Sequence, residues 1–158
     1  VEGRQEAEGE AGKAASNDGV WGEGMKPRAA MKLPPPTESQ EQAAFIQWCE
    51  LAGYPYNLIF AIPNGSHKSP ATAAKFKREG LKSGVPDLFL PYPFVHPGLI
   101  TGDCHGLFIE MKRKTGSSTS DEQKAWKVKL EGEGYAHVFA YGADEAIDFI
   151  KQYVRGEL

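Results

Sequence analysis

The sequence predicts an α/β fold: a mixed β-sheet flanked by helices, in the order α-β-α-β-β-α-β-α. Three observations predict it. Stretches with apolar residues at helical spacing alternate along the chain with short apolar runs of strand length. The first three helical stretches open on capping residues: Thr37, Ser69, and the serines between positions 118 and 120. Two apolar runs, around Leu88 and Leu107, follow one another without a helix between them, which makes them candidates for a hairpin.

Each element has its own justification. The segment "PPPTESQEQAAFIQWCELAGY" begins on prolines that end a coil, with Thr37 as N-cap and acids in the first turn, where the helix dipole favours them. Ala44, Phe45, Trp48, Leu51 and Ala52 recur at helical spacing and are expected to pack inward, until Gly53 stops the helix. "YNLIFAIPNG" reads as a strand ending in a turn at Pro63, Asn64 and Gly65. "SPATAAKFKREGLKSG" reads as a helix with Ser69 as cap, Pro70 at its first position and Gly80 near its end. "GVPDLFLPYPF" is the next strand, and a connection rich in proline and glycine leads to a third, "LFIEMKRK". A helix in "TGSSTSDEQKAWKVKLEGEG", the strand "YAHVFAY" and the helix "GADEAIDFIKQYVRG" complete the domain.

Composition bounds the rest. The chain of 158 residues has room for one core, and a hydrophobic content of 41% with 25% charged residues places it among globular domains. Residues 1–36 are rich in Gly, Ala, Glu and Pro without apolar periodicity; they are expected to form a disordered tail or linker ahead of a folded domain at 37–156. The net charge of −3 hides an acidic start and a basic middle, and local patches decide whether a phosphate backbone is attracted. Two cysteines, Cys49 and Cys104, without CxxC spacing do not make a disulfide scaffold. No apolar run is long enough to span a membrane and no secretory signal is evident, so a cytoplasmic setting and no membrane partner are expected. The "NGS" at 64–66 matches a glycosylation sequon, read as incidental without such a signal.

Chemistry concentrates in two strands. Asp87 is a lone acid beside Val85, Leu88 and Leu90, and a carboxylate there must be solvated, paired or bound to a metal. In "LFIEMKRK", strand alternation puts Leu107, Ile109 and Met111 on one face and Phe108, Glu110 and Lys112 on the other. A hairpin would let Asp87 and Glu110 converge at one end. Two carboxylates on adjacent strands suit a hard divalent ion such as Mg²⁺ or Mn²⁺, which can bind a phosphate oxygen and lower the pKa of an attacking water. An adjacent lysine adds positive charge for the phosphate and helps orient or deprotonate that water. The plainer reading is a Glu110–Lys112 ion pair on a solvated strand, with Asp87 capping a turn; the two features together favour the site.

Pro86-Asp87 followed by Glu110-x-Lys112 is the signature of the PD-(D/E)xK nuclease superfamily. The wider context, "IPNG", a basic helix, "LKSGVPDLFL" and "GLFIEMKRKTGSSTSDEQKAW", resembles the VRR-NUC domain family, in particular its small stand-alone members from phages and bacteria. The resemblance spans residues 37–154. It implies a restriction-endonuclease-like core and a Mg²⁺- or Mn²⁺-dependent endonuclease, a phosphodiester hydrolase for structured DNA in repair or recombination. Stand-alone members cut four-way (Holliday) junctions as homodimers, and fused eukaryotic relatives act on flaps and crosslink intermediates; the setting would be a bacterial or phage-infected cell. Residue by residue, it makes Asp87 and Glu110 metal ligands, together with the backbone carbonyl of Met111, and Lys112 the motif lysine. Glu38, four residues before Gln42, matches an acid of the first helix, ahead of Glu41; Gln123 matches a glutamine on the helix after the catalytic strand. The namesake Val-Arg-Arg triplet is absent where "IFAIPNGSHKS" stands, so His67 and Lys68 are the candidates to take over its basic role.

Lys68, Lys75, Lys77, Arg78 and Lys82 face only Glu79 in that stretch and form a candidate phosphate-contacting surface, which Lys112, Arg113 and Lys114 extend. His67, His96, His105 and His137 show no metal-ligand spacing, and a zinc site from Cys49, Cys104 and His105 is disfavoured. Trp48, Trp126, Phe139 and Phe149 read as core, whereas Tyr92–Phe94 reads as a loop near the site, a candidate wedge or dimer contact. The competing functions are a non-catalytic nucleic-acid-binding module of the same fold and a nuclease acting on RNA.

Overall fold

The computed structural model describes residues 34–63, 69–94 and 104–158. Expectations for the first 33 residues, for the turn at Asn64 and Gly65, and for His67, Lys68 and His96 lie outside them. The elements are α1 (Glu38–Ala52), a 3-10 turn (Tyr56–Leu58), β1 (Phe60–Ala61), α2 (Pro70–Arg78), β2 (Leu88–Leu90), β3 (Leu107–Lys112), α3 (Asp121–Gly132), β4 (Ala136–Tyr141) and α4 (Ala143–Arg155). This is the expected α/β order. The sheet runs β1-β2-β3-β4, antiparallel from β1 to β3 and parallel between β3 and β4. The parallel pair needs a crossover, and α3 supplies it.

The caps read from sequence form. Thr37 and Gln40 make a reciprocal capping box on α1, as do Ser120 and Gln123 on α3, and the Ser69 hydroxyl accepts from the Thr72 amide on α2. One face of the sheet carries Leu88 and Leu90 from β2, Leu107, Ile109 and Met111 from β3, and Val138 and Ala140 from β4. With Phe45 and Cys49 of α1 and Ala146, Ile150 and Tyr153 of α4, these form the core. Aromatic residues line the opposite face, where Phe89 and Phe108 stack with centroids 4.3 Å apart.

Several expectations are corrected. The buried face of α1 is Glu41, Phe45 and Cys49, spaced by four, and Trp48 packs at its margin. Ala44 and Ala52 are exposed and Leu51 is 82% exposed, because α1 meets its neighbours along a narrow stripe. The apolar run before Pro63 gives a 3-10 turn and a two-residue strand rather than one long strand, because the chain is still turning at Tyr56–Leu58, with the Asn57 amide on the Gly53 carbonyl. Trp126 lies outside the core cluster, and Phe139 packs against His137. Tyr92 and Phe94 follow the Leu90 end of β2, opposite Asp87, and pack against the core; the Tyr92 carbonyl accepts from the Tyr153 hydroxyl at 2.7 Å. They are scaffold at the far end of the strand.

Candidate active site

Asp87 precedes β2 by one residue, and the register pairing Leu88 with Ile109 sets it opposite Glu110. Its placement is tightly determined. The Ile62 amide donates to the Asp87 carbonyl at 2.7 Å, and the Asp87 side chain accepts from the Met111 amide through Oδ2 at 2.9 Å. Pro86 just before it is fully buried. The acid that looked misplaced in an apolar run is therefore half-buried and held at both its backbone and its carboxylate.

Glu110 and Lys112, 4% and 6% exposed, lie on the face of β3 opposite the core. The Lys112 ammonium donates to Glu110 Oε1 at 3.1 Å and to Gln123 Oε1 at 3.0 Å. Gln123 Nε2 also donates to Glu110 Oε1. The ion pair expected on a solvated strand does form, but it is buried. A buried pair repays its desolvation poorly, so stability alone gives little reason to keep it. Burial, reinforced by the negative charge of Asp87, pushes the Glu110 carboxyl up to about 7 against the pull of Lys112; Glu38 adds to the rise.

These groups open onto one cavity of about 360 Å³, lined by Glu38, Lys77, Leu81, Lys82, Ser83, Gly84, Val85, Asp87, Glu110, Lys112 and Gln123. All five side chains expected to carry catalysis reach it, from α1, the Asp87 turn, β3 and α3. Of the basic candidates, Lys77 and Lys82 line it. Lys75 instead pairs with Glu79 at 3.8 Å, and Arg78 is exposed. Lys114 lies at a second cavity of about 300 Å³ with Arg113 and Glu41, and its ammonium is 2.7 Å from Asp144. Glu41 is occupied elsewhere: its Oε2 accepts from the Ala143 amide at 2.8 Å, capping the start of α4.

Among the described residues no three His, Cys, Asp or Glu side chains are gathered closely enough to make a ready metal cage. The donor chemistry nonetheless fits a hard cation. Two carboxylates stand opposite each other, a third acid shares their cavity, and one of them holds its proton to about 7. A cation is what would relieve that charge. Cys49 is a different case: buried in the core, its thiol is pushed up to about 12, the behaviour of an inert packing residue.

Sequence reasoning missed Trp126 and Ser83. The Trp126 indole Nε1 donates to the Ser83 carbonyl at 2.9 Å, and Lys82 and Lys129 lie over its ring at 5.8 and 5.4 Å. Its spacing from Gln123, one turn along α3, was the available signal.

A mixed sheet that brings an Asp, a Glu and a Lys to one cavity, from β3 and from the turn that enters β2, is the arrangement expected of a nuclease-type domain. The chain belongs to the VRR-NUC domain family, whose model matches residues 36–144. Among solved structures it is similar to a VRR-NUC domain protein at 32% identity with a TM-score of 0.64, over 78% of this chain and 92% of that one. No curated protein matches it. Among the described residues no helix is long and apolar enough to cross a membrane.

Proposed function

We propose that the protein is a Mg²⁺- or Mn²⁺-dependent DNA endonuclease acting on branched DNA, with the four-way junction as its foremost substrate. The observation that carries this reading is the convergence of Asp87, Glu110, Lys112 and Gln123 on one cavity rimmed by Lys77 and Lys82. Asp87 and Glu110 would hold the ion, with the Met111 carbonyl and Glu38 as further oxygen donors. When bound, it supplies Lewis-acid stabilisation of the phosphate and a more acidic water.

The chain's own residues do the rest. Lys77 and Lys82 draw the phosphate backbone to the cavity mouth. Lys112, fixed between Glu110 and Gln123, places a positive charge where negative charge grows on the phosphate and orients the water that attacks phosphorus. Gln123 holds Glu110 and Lys112 in one geometry, so neither side chain must reorganise during the reaction. The preference for branched DNA and for a homodimer is supported by likeness to stand-alone family members and by the two-fold symmetry that a four-way junction shares with a dimer.

The test is a cleavage panel with Mg²⁺ and Mn²⁺ over junction, flap, splayed-arm, duplex and single-stranded DNA, together with an RNA version of the junction. Wild type should nick the junction fastest. Asp87→Asn and Glu110→Gln should abolish cleavage, and Lys112→Met should slow it about 10²- to 10³-fold. Full activity in both carboxylate variants would refute the assignment. Binding without cleavage would identify a non-catalytic module, and faster cutting of the RNA junction would identify a ribonuclease.

A further inference from the structure

Asp87 must be held through the chain segment that leads into it as well as by the neighbouring strands. Those strands supply two anchors: the Ile62 amide, just past β1, on its carbonyl and the Met111 amide of β3 on its carboxylate. Upstream lies an exposed turn, Lys82 and Ser83 followed by Gly84, with only Val85 and buried Pro86 between it and Asp87. A turn left to solvent would let the acid drift by the fraction of an ångström that matters at a reacting centre.

That turn is docked on α3. Gly84 has a φ of +79°, and a Cβ built there would lie 2.7 Å from the Glu122 carbonyl carbon and 2.9 Å from the Gln123 amide nitrogen. Only a glycine can come so close in this conformation. Beside it, the Trp126 indole donates to the Ser83 carbonyl at 2.9 Å. Gln123, one turn earlier on the same helix, touches Glu110 and Lys112. One helix thus grips the turn leading to Asp87 and the side chains on β3 at once.

We propose that Trp126 is a positioning residue for this site: its indole N–H locks the turn that aims Asp87 onto the helix that carries Gln123. This rests on the nuclease reading above for its consequence in catalysis, but not for the clamp itself. Trp126 is suited to the role because the core does not use it, and the ring is only half-buried. Phenylalanine would keep the ring's packing and remove the donor. The exposed Ser83 carbonyl would then turn to water, so the global cost is small.

The experiment compares wild type, Trp126→Phe and Gly84→Ala by hydrogen–deuterium exchange without metal and by steady-state cleavage with Mg²⁺. In Trp126→Phe, exchange should rise several-fold in peptides covering 81–88 and stay unchanged in those covering 143–153. The kcat should fall about 10- to 100-fold with KM within twofold, as expected when support for a catalytic group is lost. Gly84→Ala should show both effects more strongly. Unchanged exchange at 81–88 overturns the clamp, as does loosening that spreads equally to 143–153, which would mark a general structural role. If wild type cleaves nothing, the nuclease reading fails while the exchange result still decides the clamp. Faster exchange at 81–88 with an unaltered kcat overturns the positioning role alone.

Discussion

Glu38 and Glu41 lie in the same first turn of α1, three residues apart, and the structure sends them to different places. Glu38 lines the cavity with Asp87 and Glu110. Glu41, 6% exposed, accepts the Ala143 amide, which would otherwise be an unsatisfied donor at the start of α4. Gly142 precedes that helix and offers no side chain to cap it, so Glu41 does so from a distant part of the chain. The two acids should therefore separate on substitution. Glu41→Ala should lower unfolding stability by about 1–2 kcal/mol in denaturant titration while leaving kcat within a few-fold. Glu38→Gln should leave stability nearly unchanged and reduce Mg²⁺-dependent cleavage. A stable, inactive Glu41 variant beside an active Glu38 variant would reverse the assignment.

At the level of elements, β3 and β4 show what alternation alone leaves open about the second face. Alternation placed Phe108, Glu110 and Lys112 together, as observed; Gln123 of α3 bonds both Glu110 and Lys112, and these two are buried where the plainer reading had a solvated pair. His137 of β4 lies on that same side, opposite Phe108 and edge-on to Phe139 at 4.8 Å. It is buried, and its Nδ1 has no hydrogen-bond partner. Burial, with the nearby Lys127 ammonium, pulls its pKa down to about 4, against the opposing charge of Glu131. The sign follows directly. The unfolded chain takes up the proton near the ordinary histidine value of about 6.5, before the folded chain does, so stability falls as pH drops from there toward 4. The full effect is on the order of 3 kcal/mol. His137→Leu should remove it: the variant should match wild type near pH 7.5 and exceed it at pH 5 in chemical denaturation. Equal slopes for both proteins across that window would refute the account.

For the whole molecule, a net charge of −3 is no guide to its partner, because local charge decides what is attracted and Lys77 and Lys82 both line the cavity. Lys77 reaches the cavity from α2 and Lys82 from the turn, whereas Lys75 is paired with Glu79. If Lys77 and Lys82 each neutralise a phosphate, binding measured in EDTA should weaken in Lys77→Ala and Lys82→Ala. The slope of log affinity against log salt should become shallower by about 0.9 for each. Lys75→Ala should change it less. Equal slopes for all three variants would mean that the basic helix binds as a diffuse field rather than through these two contacts.

Much of this protein was legible in the sequence because the signals were local. Thr37, Ser69 and Ser120 cap their helices through bonds spanning three residues, and alternation in β3 fixed which side chains share a face. The pairing of Asp87 with Glu110-x-Lys112 was readable as well, since adjacent strands without a helix between them form a hairpin. Tertiary contact decided what local rules could not. It buried Glu110 and Lys112, left Leu51 exposed, assigned Glu41 to α4 and took Trp126 from the core to the Ser83 turn. Each of these depends on which distant surface arrives against a residue. Local spacing says which way a side chain points on its own element, but not what it will meet there.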